Sequence, residues 1–529
     1  MSWYGKVLRQ VGNVVAEAYC GASDTRKDDI MALQTQAYYE RIAKELRFPS
    51  KALIDGKFVD SKTGKHFITI NPADGQPLAE ITSCGVEDVA AAEIAARRAF
   101  EDGRWSKMAP MERKKILLRF AELLTEHADE LAVMESLDSG KPIADTVQGD
   151  VPDTALTFAW FAEAIDKLED TITATDAGHV GMVVREPIGV VGAILPWNFP
   201  MQMAAWKLAP ILATGNSVIV KPAKLTSLTM LRMAELAMEA GIPDGVLNVL
   251  PGSGSVIGTA LAEHPLLEAL TFTGSTAVGK QLLEFSGRTN AKRILLEMGG
   301  KNPCIVMPDV KDLDYAAVQA VNAVFWNMGE NCTSNSRLLV YKSIKEEFLE
   351  RVITETKKWK TGAPLDPDMR LGALIERPHM EQVLRYIEIG KAEKASLVYG
   401  GRQLYAESGG NFVEPTIFDN VTPDMTIAKE EIFGPVLAVM TFDTEEEAVR
   451  LANDTEYGLQ ASLFTDDVKT AHRMARSLRA GTISVNCYSE GDIGTPFGGF
   501  KQSGFFSRDK SLWASRQYTE LKTIWMKIN

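Results

Sequence analysis

Short apolar runs alternate with amphipathic helical stretches through the middle of the chain, and this alternation predicts an α/β protein. Residues 217–221 (SVIVK) form a short apolar run that predicts a buried strand. A helix is expected next, with Thr226 or Ser227 as its cap and Gly241 at its end, before residues 245–250 return as a strand. Strand, helix and strand in this order are typical of a doubly wound parallel sheet.

The same alternation continues on both sides of the stretch Glu-Met-Gly-Gly at 297–300. It predicts further strands at 268–273, 303–307 and 336–341, and further helices that end near Gly287 and cover 312–328 and 343–360. We therefore expect two α/β domains that meet near 297–300. The last stretch, 515–528, has an extended pattern and is expected to pair with another element or subunit.

The composition is that of a globular protein. The chain has 529 residues, of which 45% are hydrophobic and 24% are charged, and these values exclude a disordered or collagen-like chain. Its 57 basic and 70 acidic side chains give a net charge of −13, which argues against a general nucleic-acid binder. No apolar run approaches the ~20 residues of a membrane-spanning helix, so no membrane partner is expected.

The cysteines and histidines exclude further classes of protein and of site. The five cysteines, an odd number without any C-x-x-C pair, are Cys20, Cys84, Cys304, Cys332 and Cys487. A disulfide framework or cysteine zinc site is therefore not expected, and a reducing compartment, the cytoplasm, is the expected location. Six dispersed histidines likewise indicate neither a metal site nor a Ser-His-Asp arrangement.

The N-terminal stretch has a helical pattern of its own. Apolar residues recur there at helical spacing beside Lys6 and Arg9; they are Tyr4, Val7, Leu8, Val11, Val14 and Val15. A peripheral helix packed on this or a neighbouring subunit is the favoured interpretation, and an organelle presequence is the alternative.

Four positions could carry chemistry, and each also has a structural interpretation. Cys332, in Gly-Glu-Asn-Cys-Thr, lies among polar residues and is either a nucleophile or a structural thiol. Asn198, between two prolines, could stabilise an oxyanion or simply form a turn. Glu297, in an apolar strand end, is a partnered structural group or a general base. Ser275, after Gly274, could bind phosphate or cap a helix.

The order of the motifs is more specific than any one of them. In sequence they are Pro-Trp-Asn-Phe-Pro at 196–200, Lys-Pro-Ala at 221–223, Phe-Thr-Gly-Ser-Thr at 272–276, Glu-Met-Gly-Gly-Lys at 297–301, Gly-x-x-Cys at 329–332, Glu-Glu-Ile-Phe-Gly-Pro at 430–435 and Pro-Phe-Gly-Gly-Phe-Lys-x-Ser-Gly at 496–504. Over about residues 50–529 the chain resembles the aldehyde dehydrogenase superfamily. It looks most like the bacterial group that includes γ-glutamyl-γ-aminobutyraldehyde dehydrogenase, through WFAEAIDK, Gly491-Asp492 and the ending RDKS…YTELKTIW.

The resemblance implies NAD(P)-dependent oxidation of an aldehyde to a carboxylic acid. Cys332 would be the nucleophile that forms a thiohemiacetal and then a thioester. Asn198, with the Cys332 N–H, would hold the oxyanion, and Glu297 would activate the hydrolytic water. No metal is implied. The residues implied for cofactor binding are Trp197, Lys221, Phe272, Gly274, Ser275, Glu431 and Phe433.

The sequence departs from the family at two places. Lys224 stands where members that prefer NAD usually carry a glutamate, and an ammonium would attract a 2′-phosphate, so NADP is expected to be accepted or even preferred. The alternative is that Lys224 points into solvent. In Ser-Gly-Phe-Phe-Ser-Arg at 503–508 one residue is inserted and a glycine is replaced by bulk, which leaves the local backbone and the substrate entrance undefined.

Two sets of residues are candidates for contact with the substrate. Phe199, Met203, Trp206 and Phe497 are expected either to line a substrate tunnel or to be core residues. Glu490 and Asp492 could attract the amine of an ω-aminoaldehyde, with solvated turn residues as the alternative.

The resemblance also implies the architecture, a Rossmann-type cofactor domain, an α/β catalytic domain and a small β flap. The expected division is an N-terminal extension at 1–32, a cofactor domain at 33–164 and 188–299, a catalytic domain at 300–501, and oligomerisation elements of a homodimer or homotetramer at 165–187 and 502–529.

Two other functions compete with aldehyde oxidation: a catalytically silent family member, and a Cys332 acyl-transfer or ester-hydrolysing enzyme. Retention of Cys332, Glu297 and Asn198 argues against the first, and the intact set of Lys221, Ser275 and Glu431 argues against the second.

Overall fold

The computed structural model describes residues 32–528 and contains two large sheets. The helical pattern expected near 4–15 and Cys20 lie outside the described residues. The chain passes from the first sheet to the second between Glu297 and Pro303. No helix within 32–528 is long and apolar enough to cross a membrane.

The first sheet has eight strands, and its five central strands are parallel. In spatial order the strands are Lys57–Val59, Ala52–Ile54, Leu247–Val249, Ser217–Lys221, Val190–Ile194, Ala269–Thr273, Arg293–Glu297 and Gly504–Phe505. The central strands are buried on both faces, which explains why they read as apolar runs in the sequence.

The second sheet has seven strands, all parallel except the first. In spatial order they are Ser396–Tyr399, Thr416–Asp419, Val436–Phe442, Arg337–Tyr341, Pro303–Val306, Gln460–Phe464 and Thr482–Val485. Each large sheet has its own buried core.

A third sheet joins the two segments that were expected to mediate oligomerisation. Its central strand, His179–Pro187, pairs with Thr171–Thr173 on one side and with Thr519–Lys527 on the other, in antiparallel register. Most side chains of the last strand are exposed. Two antiparallel pairs complete the strands: His66–Ile70 with Pro77–Thr82, and Gln403–Leu404 with Phe412–Val413.

Helices cover both faces of the large sheets. Around the first sheet the longer ones are Gln36–Glu45, Val86–Glu101, Pro110–Glu126, Ala128–Ser139, Val151–Ala164, Pro200–Ala213, Leu228–Glu239 and Thr276–Arg288. The later ones are Leu313–Phe325, Lys345–Thr356, Arg377–Ala392, Glu445–Asn453, Val468–Ser477 and Ser511–Gln517.

The expected strands are confirmed within a few residues, but three expected elements were drawn too long. The helix expected over 312–328 ends at Phe325, and the one expected over 343–360 covers only Lys345–Thr356. In the stretch 515–528, residues up to Gln517 are helical, and the strand begins at Thr519.

The helix Leu228–Glu239 begins in a way that the sequence could not indicate. Ser227 occupies the cap position, but its hydroxyl donates to Ala223 O at 2.7 Å and does not accept from the helix. The Leu228 N–H instead donates to a carboxylate oxygen of Asp138 at 3.0 Å. A carboxylate from ninety positions earlier in the chain therefore satisfies this helix start.

Candidate active site

Four of the five parallel strands of the first sheet direct their carboxyl ends into one cavity of about 740 Å³. Ile194, Lys221, Thr273 and Glu297 each stand at or near the end of such a strand and line this cavity. Residues from the second sheet's connections, including Cys332 and Glu431, form the opposite side. Every predicted site residue except Asp492 contributes to the lining.

Cys332 reaches the cavity because the preceding helix is interrupted. After Phe325 the backbone turns through left-handed conformations at Asn327 and Met328, with φ of 52° and 56°. Gly329 follows with φ of 71°, and a Cβ there would overlap the carbonyl of Gly434. The turn leaves the Cys332 thiol partly exposed to the cavity.

The surroundings of Cys332 disfavour its thiolate in the protein alone. Burial raises the pKa of the Cys332 thiol well above its usual range, and the negative charges of Glu490, Glu431 and Glu297 raise this pKa further. Cys84 and Cys304 are fully or nearly fully buried in apolar clusters, which fits the structural interpretation of both.

Asn198 is held rigidly beside the thiol. Its side-chain Nδ2 donates to Glu330 O at 3.0 Å, and its own carbonyl accepts from Asn327 Nδ2 at 3.1 Å. Because an amide nitrogen carries two hydrogens, one N–H of Asn198 remains for a group in the cavity. The loop between the two prolines thus supplies a fixed donor.

Glu297 ends its strand as a buried carboxylate, and only 3% of it is exposed. Neither carboxylate oxygen has a hydrogen-bond partner among residues 32–528. Burial, followed by the charge of Asp509, raises the pKa of Glu297 well above its usual range, and Lys207 partly offsets this. A carboxylate in this state can accept a proton from water near neutral pH.

Lys221 and Ser275 line the side of the cavity formed by the first sheet, and Glu431 lines the opposite side. Burial lowers the pKa of Lys221 to about 8, and its ammonium donates to Pro222 O at 2.6 Å. Ser275 caps the helix Thr276–Arg288, where its hydroxyl accepts from Val278 N. The two interpretations of Ser275 are therefore compatible, since a helix start also presents N–H groups to an anion.

Glu431 is fixed by the Glu-Met-Gly-Gly stretch. Its carboxylate accepts from Gly300 N at 2.8 Å, and a Cβ on Gly299 would overlap this carboxylate. Burial raises the pKa of Glu431 to about 7. Phe433, two residues later, packs its ring edge-on against Trp197 with ring centroids 5.2 Å apart.

His379 also belongs to this wall, although it is not among the site residues predicted from the sequence. Its Nε2 lies 2.7 Å from Phe433 O, and its ring lies 5.4 Å from that of Trp197. Phe433 has a φ of 58°, so the hydrogen bond from His379 holds a left-handed residue in place. No local sequence motif identifies His379, because the residues that it contacts lie far away in the sequence.

The four predicted substrate residues lie together. Phe199, Met203, Trp206 and Phe497 form one buried cluster with Leu459, and Cys332 packs against it. All five also line the cavity, so they are both core residues and cavity wall. Within residues 32–528 no group of three or more His, Cys, Asp or Glu side chains could hold a metal ion.

The two acidic residues proposed to meet a substrate amine separate. Glu490 lines the cavity, where its carboxylate accepts a hydrogen bond from Thr333 Oγ1. Asp492 does not line it: its exposed carboxylate accepts from Gly494 N at 3.0 Å. The left-handed turn at Gly491, with φ of 70°, lies between them. Asp492 is thus the solvated turn residue of the alternative interpretation.

The two departures from the family pattern also have definite positions. Lys224 is exposed at the cavity edge, with its ammonium 5.4 Å from the centre of the Phe67 ring. In the 503–508 stretch, Gly504 and Phe505 pair with Glu297 and Leu296 as an antiparallel edge strand. Phe506 follows with φ of 53° and is 79% exposed. The inserted bulk therefore lies on the surface beside the Glu297 strand.

Comparisons with known proteins show which family and which solved structures this chain is similar to. The family model described as "Aldehyde dehydrogenase family" matches residues 58–524. Aminoacetaldehyde dehydrogenase of Pseudomonas aeruginosa is 53% identical over 93% of this chain and 99% of its own length. The crystal structure of gamma-glutamyl-gamma-aminobutyraldehyde dehydrogenase from Burkholderia cenocepacia matches with a TM-score of 0.92 and 51% identity over 94% of this chain and all of that one. The structure of an indole-3-acetaldehyde dehydrogenase complexed with NAD+ matches with a TM-score of 0.92 and 52% identity, over 94% of this chain and 100% of that one.

Proposed function

The chain belongs to the aldehyde dehydrogenase family, and we propose that the aldehyde it oxidises carries a cationic amine at its far end. It has the family's α/β fold and is an oxidoreductase that converts an aldehyde to a carboxylic acid. The observation that supports an amine is the Glu490 carboxylate, which lines the same cavity as Cys332. Charged hydrogen bonds of this kind orient an ammonium strongly.

In the proposed first step, Cys332 Sγ attacks the aldehyde carbon, and a sulfur–carbon bond forms as the carbonyl π electrons move onto oxygen. The free N–H of Asn198 and the Cys332 N–H stabilise this oxyanion. The rigid hold on Asn198 by Asn327 and Glu330 supports this role, because a fixed donor needs no reorganisation.

The cofactor site is proposed from the same cavity. Lys221 would bind a ribose hydroxyl and Ser275 a pyrophosphate oxygen, while Glu431 and Phe433 would position the nicotinamide ribose and ring. The remaining lining residues of this part are Trp197, Phe272 and Gly274. A desolvated ammonium, a helix start and a fixed carboxylate fit the donors and acceptors of a dinucleotide. NAD, when bound, supplies the acceptor for the hydride that leaves the thiohemiacetal carbon.

Loss of that hydride leaves a thioester on Cys332, and Glu297 is proposed to complete the reaction. Its raised pKa suits a general base, because the carboxylate takes a proton from water as the water oxygen attacks the thioester carbon. The carbon–sulfur bond then breaks, the carboxylic acid leaves, and the Cys332 sulfur takes the proton from Glu297, which regenerates the thiol.

We propose that NADP is also accepted, because Lys224 places an exposed ammonium at the cavity edge. We propose a homo-oligomer, because the third sheet exposes Ile172, Leu521 and Trp525, which are 77%, 62% and 60% accessible. We propose a cytoplasmic location, because five cysteines without any C-x-x-C pair suit a reducing compartment.

The proposed substrate class is tested by comparing short ω-aminoaldehydes with uncharged aldehydes of equal length and with indole-3-acetaldehyde. Production of reduced cofactor is followed by its near-ultraviolet absorbance. We expect kcat/KM to favour the aminoaldehydes by about tenfold or more, the effect of one desolvated charge pair. Glu490→Gln should abolish this preference, whereas the matched variant Asp492→Asn should keep it. Equal kcat/KM for charged and uncharged aldehydes in the unmodified protein would refute an amine-specific site.

A further inference from the structure

Glu490 belongs to a hydrogen-bonded network that includes both neighbours of the nucleophile. Asn331 Nδ2 donates to the Tyr488 hydroxyl at 2.8 Å, and this hydroxyl lies 2.7 Å from Thr333 Oγ1. Thr333 Oγ1 in turn donates to the Glu490 carboxylate. Because Asn331 and Thr333 flank Cys332 in the chain, these hydrogen bonds connect the Glu490 carboxylate to the loop that carries the thiol.

The charges around this network are unevenly distributed. Glu490 contributes the largest single charge effect on the Cys332 thiol, ahead of Glu431 and Glu297. Burial raises the pKa of the Glu490 carboxylate, the charge of Lys510 and the hydrogen bond from Thr333 lower it, and the charge of Asp153 raises it. The hydrogen bonds of the Lys510 ammonium go to the backbone carbonyls of Glu490 and Gly491, at 2.9 and 3.0 Å. The carboxylate of Glu490 therefore keeps acceptor capacity for a cation in the cavity.

We propose, on the basis of the amine-bearing substrate proposed above, that the substrate's ammonium activates the nucleophile by cancelling the charge of Glu490 beside Cys332. The ammonium forms an ion pair with the Glu490 carboxylate while the aldehyde end reaches Cys332. The thiol proton then leaves to water, and the thiolate remains. No covalent bond to the substrate tail forms or breaks in this step.

The physical basis is the repulsion between two like charges in a cavity of low polarity. A nearby carboxylate raises the pKa of a thiol, and an ion pair removes most of that effect. A fall of one pKa unit increases the thiolate fraction about tenfold at a pH below the pKa. An uncharged aldehyde of the same length would bind without this effect. The charged amine would therefore increase the rate of the chemical step as well as the affinity for the substrate.

The test measures the reactivity of Cys332 with iodoacetamide, which needs no aldehyde. The thiolate displaces iodide, and a carbon–sulfur bond forms as the carbon–iodine bond breaks. The full-length protein, with and without NAD, is alkylated over a range of pH in the presence of propylammonium or of propanol. Mass spectrometry of the peptide that contains Cys332 separates its rate from those of the other cysteines.

We expect propylammonium to accelerate alkylation of Cys332 about tenfold in a saturable way and to lower the apparent pKa of the reaction, and we expect propanol to do neither. Glu490→Gln should react faster than the unmodified protein without any ligand and should not respond to propylammonium. Asp492→Asn, which removes an exposed carboxylate outside the cavity, should respond like the unmodified protein.

The proposal is overturned if propylammonium has no effect on the unmodified protein, if propanol matches it, or if Glu490→Gln responds equally. The comparison of propylammonium with propanol needs no variant, so it remains decisive even if Glu490→Gln does not fold. A steady-state preference for aminoaldehydes without any response in alkylation would refute only this inference. Absence of that preference would refute the proposed substrate class.

Discussion

The ammonium of Lys207 lies 2.6 Å from the carboxylate of Asp509, and both side chains are removed from water. The negative charge of Asp509 raises the pKa of Glu297, whereas the positive charge of Lys207 lowers it. Burial is the main cause of the raised pKa of Glu297, and this buried pair adjusts that pKa further.

Replacing one member of the pair should move the pH dependence of the reaction. In Asp509→Asn an anion is lost and Lys207 is left uncompensated, and both changes lower the pKa of Glu297. The rate of thioester hydrolysis rises with pH as the base ionises, so its ascending limb should move to lower pH by about one unit. Rapid-mixing kinetics over a pH series measures this limb, with Asp492→Asn as the control.

Breaking the same pair should also destabilise the fold by about 3 kcal/mol, because an unpaired buried charge remains. Denaturant unfolding of Asp509→Asn would measure this loss. A limb that stays in place or moves to higher pH in a folded variant would contradict the assigned coupling.

Cofactor choice should depend on Lys224. The exposed ammonium attracts the 2′-phosphate of NADP, whereas a carboxylate there would repel it. We expect Lys224→Glu to lower kcat/KM for NADP about tenfold or more and to preserve or improve it for NAD. A strong preference for NAD in the unmodified protein that Lys224→Glu leaves unchanged would rule out this role.

His379 should act as a positioning residue for Phe433. Its Nε2 donates to Phe433 O at 2.7 Å, and burial lowers the pKa of His379, which keeps the imidazole neutral. Removing this hydrogen bond in His379→Ala should raise KM for NAD about fivefold to tenfold, the effect of ~1 kcal/mol, with a smaller change in kcat. His379→Gln, which can still donate, should recover part of the loss. If both variants had the same KM for NAD as the unmodified protein, Phe433 would hold its conformation without this hydrogen bond.

The parts of the fold that local pattern determines were predictable. The strand Ser217–Lys221 is buried on both faces, so its apolar run identifies it. The end of the helix before Cys332 was not predictable, because Met328, next to Asn327, adopts a left-handed conformation that its residue type does not favour. Contacts with distant segments, such as the packing of Gly329 on Gly434, impose that turn.

The candidate site likewise has a part that the sequence predicted and a part that it could not predict. The family motifs led to Cys332, Glu297 and Asn198, and these residues share one cavity. The sequence could not separate Glu490 from Asp492, because both flank Gly491 in the chain and only the folded turn shows that Glu490 lines the cavity. His379 was missed for a related reason, because its role exists only through a carbonyl fifty-four positions away.

The most direct test of the central claim uses Glu297→Gln, in which the amide cannot accept a proton from water. When this variant is mixed with an aminoaldehyde and NAD, we expect a burst of about one reduced cofactor per subunit, followed by slow turnover. Intact-mass and peptide analysis should then show the acyl group of the substrate on Cys332. Turnover without a burst and without an adduct, or an adduct on another cysteine, would contradict the account.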